Sequence, residues 1–124
     1  MSENNKITEY GVYEKIKEKV PEPIVLFKDK NEAKDTLNII KSCAKKHKIP
    51  IYYSIYKKDV NGENFYALNV KIGRVLFSEL SGETYYKSKE EAEEEFKEFN
   101  KDMKNLSYFF ETESKIVSRS YYVK

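Results

Sequence analysis

The sequence predicts an α+β domain in which an antiparallel sheet of about five strands is covered by two amphipathic helices, with a short helix at the N-terminus. Three observations carry that expectation. Two capping boxes, Asp29-Lys30-Asn31-Glu32 and Ser88-Lys89-Glu90-Glu91, each open a stretch whose apolar residues recur at helical spacing. The turn sequence Asp59-Val60-Asn61-Gly62 separates two runs rich in β-branched and aromatic residues, which is the composition of a hairpin. The chain has 124 residues, enough for one core that buries roughly two-thirds of the unfolded surface, so a single domain is expected.

Residues 1 to 6 are polar and expected to fray. Tyr13, Ile16 and Val20 then fall at helical spacing up to a stop at Pro21-Glu22-Pro23, which predicts the N-terminal helix. Ile24-Val25-Leu26-Phe27 reads as a brief strand. In the capping box that follows, the Asp29 and Glu32 side chains satisfy backbone N–H groups that a helix start leaves without partners. Ala33, Leu37, Ile40 and Ala44 form the buried stripe of that helix, while Lys34, Lys41, Lys45 and Lys48 form the opposite one, interrupted by Asn38. The helix ends near Ile49-Pro50. Residues 51 to 58 and 65 to 77 are the hairpin strands. Ser81-Gly82-Glu83 reads as a turn and Thr84-Tyr85-Tyr86 as a short strand before the second helix, which buries Ala92, Phe96, Phe99 and Met103. Residues 116 to 123 have the composition of a closing strand at a sheet edge.

The two strand-to-helix junctions align 59 residues apart, Lys28 to Ala33 against Lys87 to Ala92, and the buried positions Leu37, Ile40 and Ala44 match Phe96, Phe99 and Met103. Either an internal duplication or the shared grammar of capped amphipathic helices produces such a match.

Composition narrows the functional classes. One cysteine, Cys43, rules out an intramolecular disulfide, and no apolar run near the start resembles a signal peptide or a membrane span, so a cytoplasmic location is expected. Lys and Glu dominate the charged residues and Gln is absent, a pattern enriched in thermophile proteomes. The net charge of +2 conceals an asymmetry: residues 28 to 58 hold 9 basic against 3 acidic side chains, so a polyanion would meet that stretch first.

No catalytic constellation can be assembled. Cys43 and His47 lie four apart on one helix, too few ligands for a zinc site and without a third group to orient a nucleophile pair. The acidic run from Glu90 to Glu98 occupies the first turns of a helix, where the macrodipole favours negative charge. The four glycines, at 11, 62, 73 and 82, cannot make a phosphate loop. Neither a cofactor nor a metal is expected, and the chain reads as a non-enzyme.

Ile72-Gly73-Arg74-Val75, the turn glycine at 82 and the capped helix from Ser88 through Phe96 together resemble a WGR domain, a DNA-contacting module, over residues 51 to 108. The resemblance implies a long hairpin packed on one helix, with a Gly-Arg loop presented to ribose and phosphate at a DNA end or nick. Ile72 occupies the position of the family tryptophan and offers no ring for stacking. The family's second glycine follows the Arg closely, whereas here five residues lengthen the strand before it nears Gly82.

The expected function is therefore binding of DNA or RNA, with the phosphate backbone contacted by Lys34, Lys41, Lys45, Lys48, Lys57, Lys58 and Arg74 and bases stacked on Tyr52 and Tyr56. A solvated face in a Lys-rich chain gives the same lysine pattern. The alternative is a protein-interaction or inhibitor module, such as a viral or plasmid accessory protein docking on a host or defence complex, supported by the tyrosine surplus that includes Tyr121 and Tyr122. Strand addition at the closing edge would make a homodimer.

Overall fold

The computed structural model describes residues 5–73 and 79–124. The strands are β1 (Lys6–Glu18), β2 (Val25–Phe27), β3 (Ile51–Val60), β4 (Glu63–Ile72), β5 (Glu79–Tyr86) and β6 (Phe110–Tyr122); the helices are α1 (Lys30–Lys46) and α2 (Lys89–Met103), the latter continued by a 3-10 turn at Lys104–Leu106. They form two antiparallel three-stranded sheets, ordered β5-β1-β6 and β2-β4-β3, rather than one sheet of about five strands.

The predicted N-terminal helix is a strand. Tyr13, Ile16 and Val20 match helical spacing, but Val20 is exposed, and the buried residues Val12 and Ile16 follow the alternation of a strand. Long-range pairing decides the matter: β1 lies between β5 and β6, with Val12 opposite both Thr84 and Ile116, so its backbone groups are satisfied on both sides. Lys6 already opens this strand, opposite Tyr122, and the Asn5 carbonyl accepts from the Val123 N–H. Ser81-Gly82-Glu83 is likewise no turn, because all three residues continue β5 opposite Lys15, Glu14 and Tyr13.

The helices start where their caps predict. The Asp29 carboxylate accepts from the Asn31 N–H at 2.8 Å and the Ser88 hydroxyl from the Glu91 N–H at 3.2 Å. α1 packs on the β2-β4-β3 sheet and α2 mainly on β1 and β6. Between them lies one core containing Ile16, Leu37, Ile40, Leu68, Val70, Phe99, Leu106 and Phe110. The hairpin turns through Asn61 and Gly62, both at positive φ, the pairing of residues that a two-residue turn between twisted strands requires.

The 59-residue offset extends well beyond the helix starts. Lys30 and Lys89 open the helices, and Ile51 and Phe110 open the strands that follow them. Each half is a strand, a helix and an edge strand, with a third strand inserted between the other two: β4 in the first half, β1 in the second. The third strand of the second half thus comes from the opposite end of the chain. The halves are joined where the Glu18 carboxylate at the end of β1 accepts from the Ile72 N–H at the end of β4, at 2.6 Å.

Gly11 is required by this pairing. A Cβ there would stand 2.5 Å from the Thr84 carbonyl oxygen and 2.8 Å from the Tyr85 ring, which lies across the β1 backbone. Gly82, two strand positions earlier on β5, would meet nothing within 4 Å. Gly11→Ala is accordingly expected to lower the unfolding free energy by about 1–3 kcal/mol, as overpacking against backbone does, whereas Gly82→Ala should stay within about 0.5 kcal/mol of the parent. Urea denaturation of the two variants checks the contrast.

Candidate nucleic-acid interface and a buried carboxylate cluster

Strand alternation sorts the predicted interface residues onto two adjoining surfaces. On β3, Ile51, Tyr53, Ile55 and Lys57 point to the α1 side, while Tyr52, Ser54, Tyr56 and Lys58 point to the outer face of the sheet. Beneath Tyr56 on that outer face lies Ala67, fully buried, with Leu26 on its other side. Tyr52 is opposite Lys71 and its ring contacts Gly73, where a Cβ would come within 3.4 Å. The rings of Tyr52 and Tyr56 are well exposed, at 62% and 40%.

The second surface is a groove of about 330 Å³ between α1 and β3, lined by Lys41, Ser42, Ala44, Lys45, Ile49, Ile51 and Tyr53. Lys41 Nζ stands 5.0 Å from the centre of the Tyr53 ring, a cation-π pair on a tyrosine that stays exposed. Tyr53 was absent from the sequence-predicted set, although its place one residue after Tyr52 signals the α1 side of the same strand. Lys34 lies on the same stripe of α1, closer to its start, and is exposed.

Two lysines do not join this surface. Lys48 follows the α1 C-cap at positive φ and lines a different cleft, beside His47 and Glu14. Lys46 pairs with Glu98 and, at 2.9 Å, with Asp102 on α2, and these two hydrogen-bonded carboxylates raise its pKa above the usual lysine range. Arg74 lies outside the described residues. The other arginine, Arg119, stacks on the Tyr85 ring at 3.7 Å and donates to Glu9 at 3.1 Å, on the outer face of the opposite sheet. The hairpin of the WGR resemblance carries α1, the helix before it; α2 belongs to the other sheet.

A second constellation combines residues that local spacing does not connect. His47, the α1 C-cap, has a side chain only 4% exposed and packs edge-on against Phe99. Its Nε2 is 2.8 Å from Asp102 Oδ2. The Asp102 carboxyl is held below its ordinary range, first by the His47 hydrogen bond and then by Lys46, so it is an ionised acceptor and Nε2 carries the donated hydrogen. His47 Nδ1 then faces Glu95 Oε2 at 3.8 Å, beyond hydrogen-bond length. Glu14, on the helix-facing side of β1, completes the group, and one donor atom from each of Glu14, His47 and Glu95 lies within 4.8 Å of the others.

Glu14 is strained electrostatically. Its Oε2 is buried without a hydrogen-bond partner. Burial first, then a hydrogen bond to Glu95 and its negative charge, push the Glu14 pKa up to about 8. Tyr86, beside the pair, is raised by burial and by both carboxylates. The sequence signal for this cluster was Glu14 itself, a carboxylate at a core position between Val12 and Ile16, visible only once β1 is read as a strand.

No known protein-family model matches the chain, and no curated protein does. Among solved structures the chain is similar to the de novo designed protein Foldit4, at 14% sequence identity and a TM-score of 0.33, over 90% of this chain and 98% of that one. Among the described residues no helix is long and apolar enough to cross a membrane.

The Glu14 shift fixes the sign of a pH effect. With a folded-state pKa near 8 against an ordinary 4.5, the folded protein binds more protons than the unfolded chain between those values. The stabilisation is complete below 4.5 and is lost as pH rises to about 8. Urea midpoints measured across this window in the presence of a chelator should fall with rising pH, and Glu14→Gln should flatten the fall. A parent profile as flat as that of the variant would contradict the assignment.

Proposed function

We propose that this protein binds single-stranded nucleic acid along β3. The observation that carries the reading is the edge position of that strand, where Tyr52, Tyr53 and Tyr56 are exposed and Lys41, Lys45, Lys57 and Lys58 flank them on both sides. Exposed rings on a sheet accept bases of any sequence by stacking, and lysines beside them release counterions from the phosphates. Lys34 extends the basic track along α1. Arg74 enters from sequence alone, through the Gly-Arg of the WGR resemblance, and a nicked probe tests that part separately.

A second reading has its own observation. β6 is a sheet edge of 13 residues ending in exposed Tyr121 and Tyr122, which suits strand addition by a protein partner or a second copy. A viral or plasmid accessory protein docking on a host or defence complex would use such an edge.

Fluorescence anisotropy with labelled single-stranded DNA and RNA, duplex and 5′-phosphorylated nicked DNA separates these readings. The proposal expects micromolar or tighter single-strand binding that weakens steeply with salt. Lys41→Glu/Lys45→Glu should abolish it, and Tyr52→Ala/Tyr56→Ala should weaken it at least about thirtyfold, given roughly 1–3 kcal/mol for each of two stacked bases. Lys115→Glu, on the opposite sheet, should leave it unchanged. Absence of binding to every probe at low salt would overturn the proposal and direct attention to β6.

A further inference from the structure

We infer that Glu14, His47 and Glu95 form a binding site for a first-row divalent transition cation, with Asp102 holding the histidine in place. The site is separate from the β3 surface and does not depend on its function.

Three elements that are remote in sequence deliver one ligand each: β1 gives Glu14, the end of α1 gives His47, and α2 gives Glu95. The two glutamates lack a fixed cationic partner: among the described residues no Lys or Arg pairs with Glu14 or Glu95. Glu14 Oε2 is buried and orphaned, and His47 Nδ1, on a side chain 4% exposed, finds no partner within hydrogen-bond length. A proton shared by the two carboxyls would satisfy the Glu14 oxygen but leave Nδ1 facing an oxygen lone pair. A cation takes all three.

The chemistry of the donors selects the class of ion. One imidazole nitrogen and two carboxylates suit Zn²⁺, Fe²⁺, Co²⁺ or Ni²⁺, whereas Ca²⁺ and Mg²⁺ prefer all-oxygen shells. Asp102 accepting from Nε2–H fixes the tautomer that exposes the Nδ1 lone pair, the arrangement found behind metal-bound histidines generally. Zn²⁺ bonds of about 2.0–2.1 Å place tetrahedral donors roughly 3.3 Å apart. The present 3.8 Å between Nδ1 and Glu95 Oε2, and separations within 4.8 Å overall, call for a contraction that glutamate torsions supply.

Access is built into β5. Gly82 stands directly opposite Glu14, and the lack of a side chain there opens a cleft of about 210 Å³ lined by Glu14, His47, Lys48, Ser81 and Thr84. A fourth coordination position facing this cleft is available to water.

Calorimetric titration of the chelator-stripped protein with Zn²⁺ and Co²⁺ tests the site, with Mg²⁺ as the hard-ion control. The expected result is one equivalent bound at micromolar or tighter Kd, a rise in thermal midpoint by mass action, and no response to Mg²⁺. Glu14→Gln and Glu95→Gln, each close in shape to a protonated carboxyl, should remain folded and lose at least about tenfold in affinity, as should Asp102→Asn through the histidine. Glu91→Gln/Glu94→Gln, on the exposed acidic face of α2, should bind as the parent does. The inference is overturned if the parent binds no stoichiometric Zn²⁺, or if Glu14→Gln binds as tightly as the parent.

Discussion

The insertion of β1 between β5 and β6 is the constraint on which the rest of the molecule depends. Without it β5 and β6 have no common neighbour, α2 has no sheet to cover, and the second half of the chain is a helix between two unpaired strands. The pairing joins opposite ends of the chain, from Lys6 opposite Tyr122 to Glu18 opposite Phe110. Closing so long a loop costs entropy that only an extensive ladder offsets, and β1 supplies one along its full length against β6 and along much of it against β5. The same insertion carries Val12 and Ile16 into the core and leaves Glu14 between them.

His47 is the second point of convergence. It ends α1, packs on Phe99 of α2 and bonds Asp102 of the same helix, so it fastens the two helices to each other. Lys46 reinforces that joint through Asp102 and Glu98. Because these ion pairs sit at the α1–α2 joint, they leave the opposite side of α1 to Lys41 and Lys45 and the groove beside Tyr53. The basic surface and the carboxylate cluster thus lie on separate sides of one helix, and a change at either is expected to reach the other only through overall stability.

Much of this was legible in the sequence where the information is local. Both predicted N-cap side chains cap, the apolar stripes are buried except for half-buried Phe96, and Asn61-Gly62 turns the hairpin, because each depends on neighbours within a few residues. The 59-residue match between Lys28 to Ala33 and Lys87 to Ala92 was legible too, and it extends to the strands after the helices. The misread elements depend on distant partners. Tyr13, Ile16 and Val20 satisfy a helical period by coincidence, and Ser81-Gly82-Glu83 has turn composition, but backbone pairing across the sheet overrides both. A helix over Tyr13 to Val20 gives Glu14 no reason to meet His47, so the carboxylate cluster does not show in the sequence. The stripe that groups Lys34, Lys41, Lys45 and Lys48 in the sequence cannot show that Lys48 turns away after the C-cap.

The central position of β1 is most directly tested by proton NOE spectroscopy of the isotope-labelled protein. The account predicts long-range contacts from Val12 to both Thr84 and Ile116, and from Ile16 to Leu80 and Thr112. Their absence, with medium-range contacts linking Tyr13, Ile16 and Val20 in their place, would contradict it.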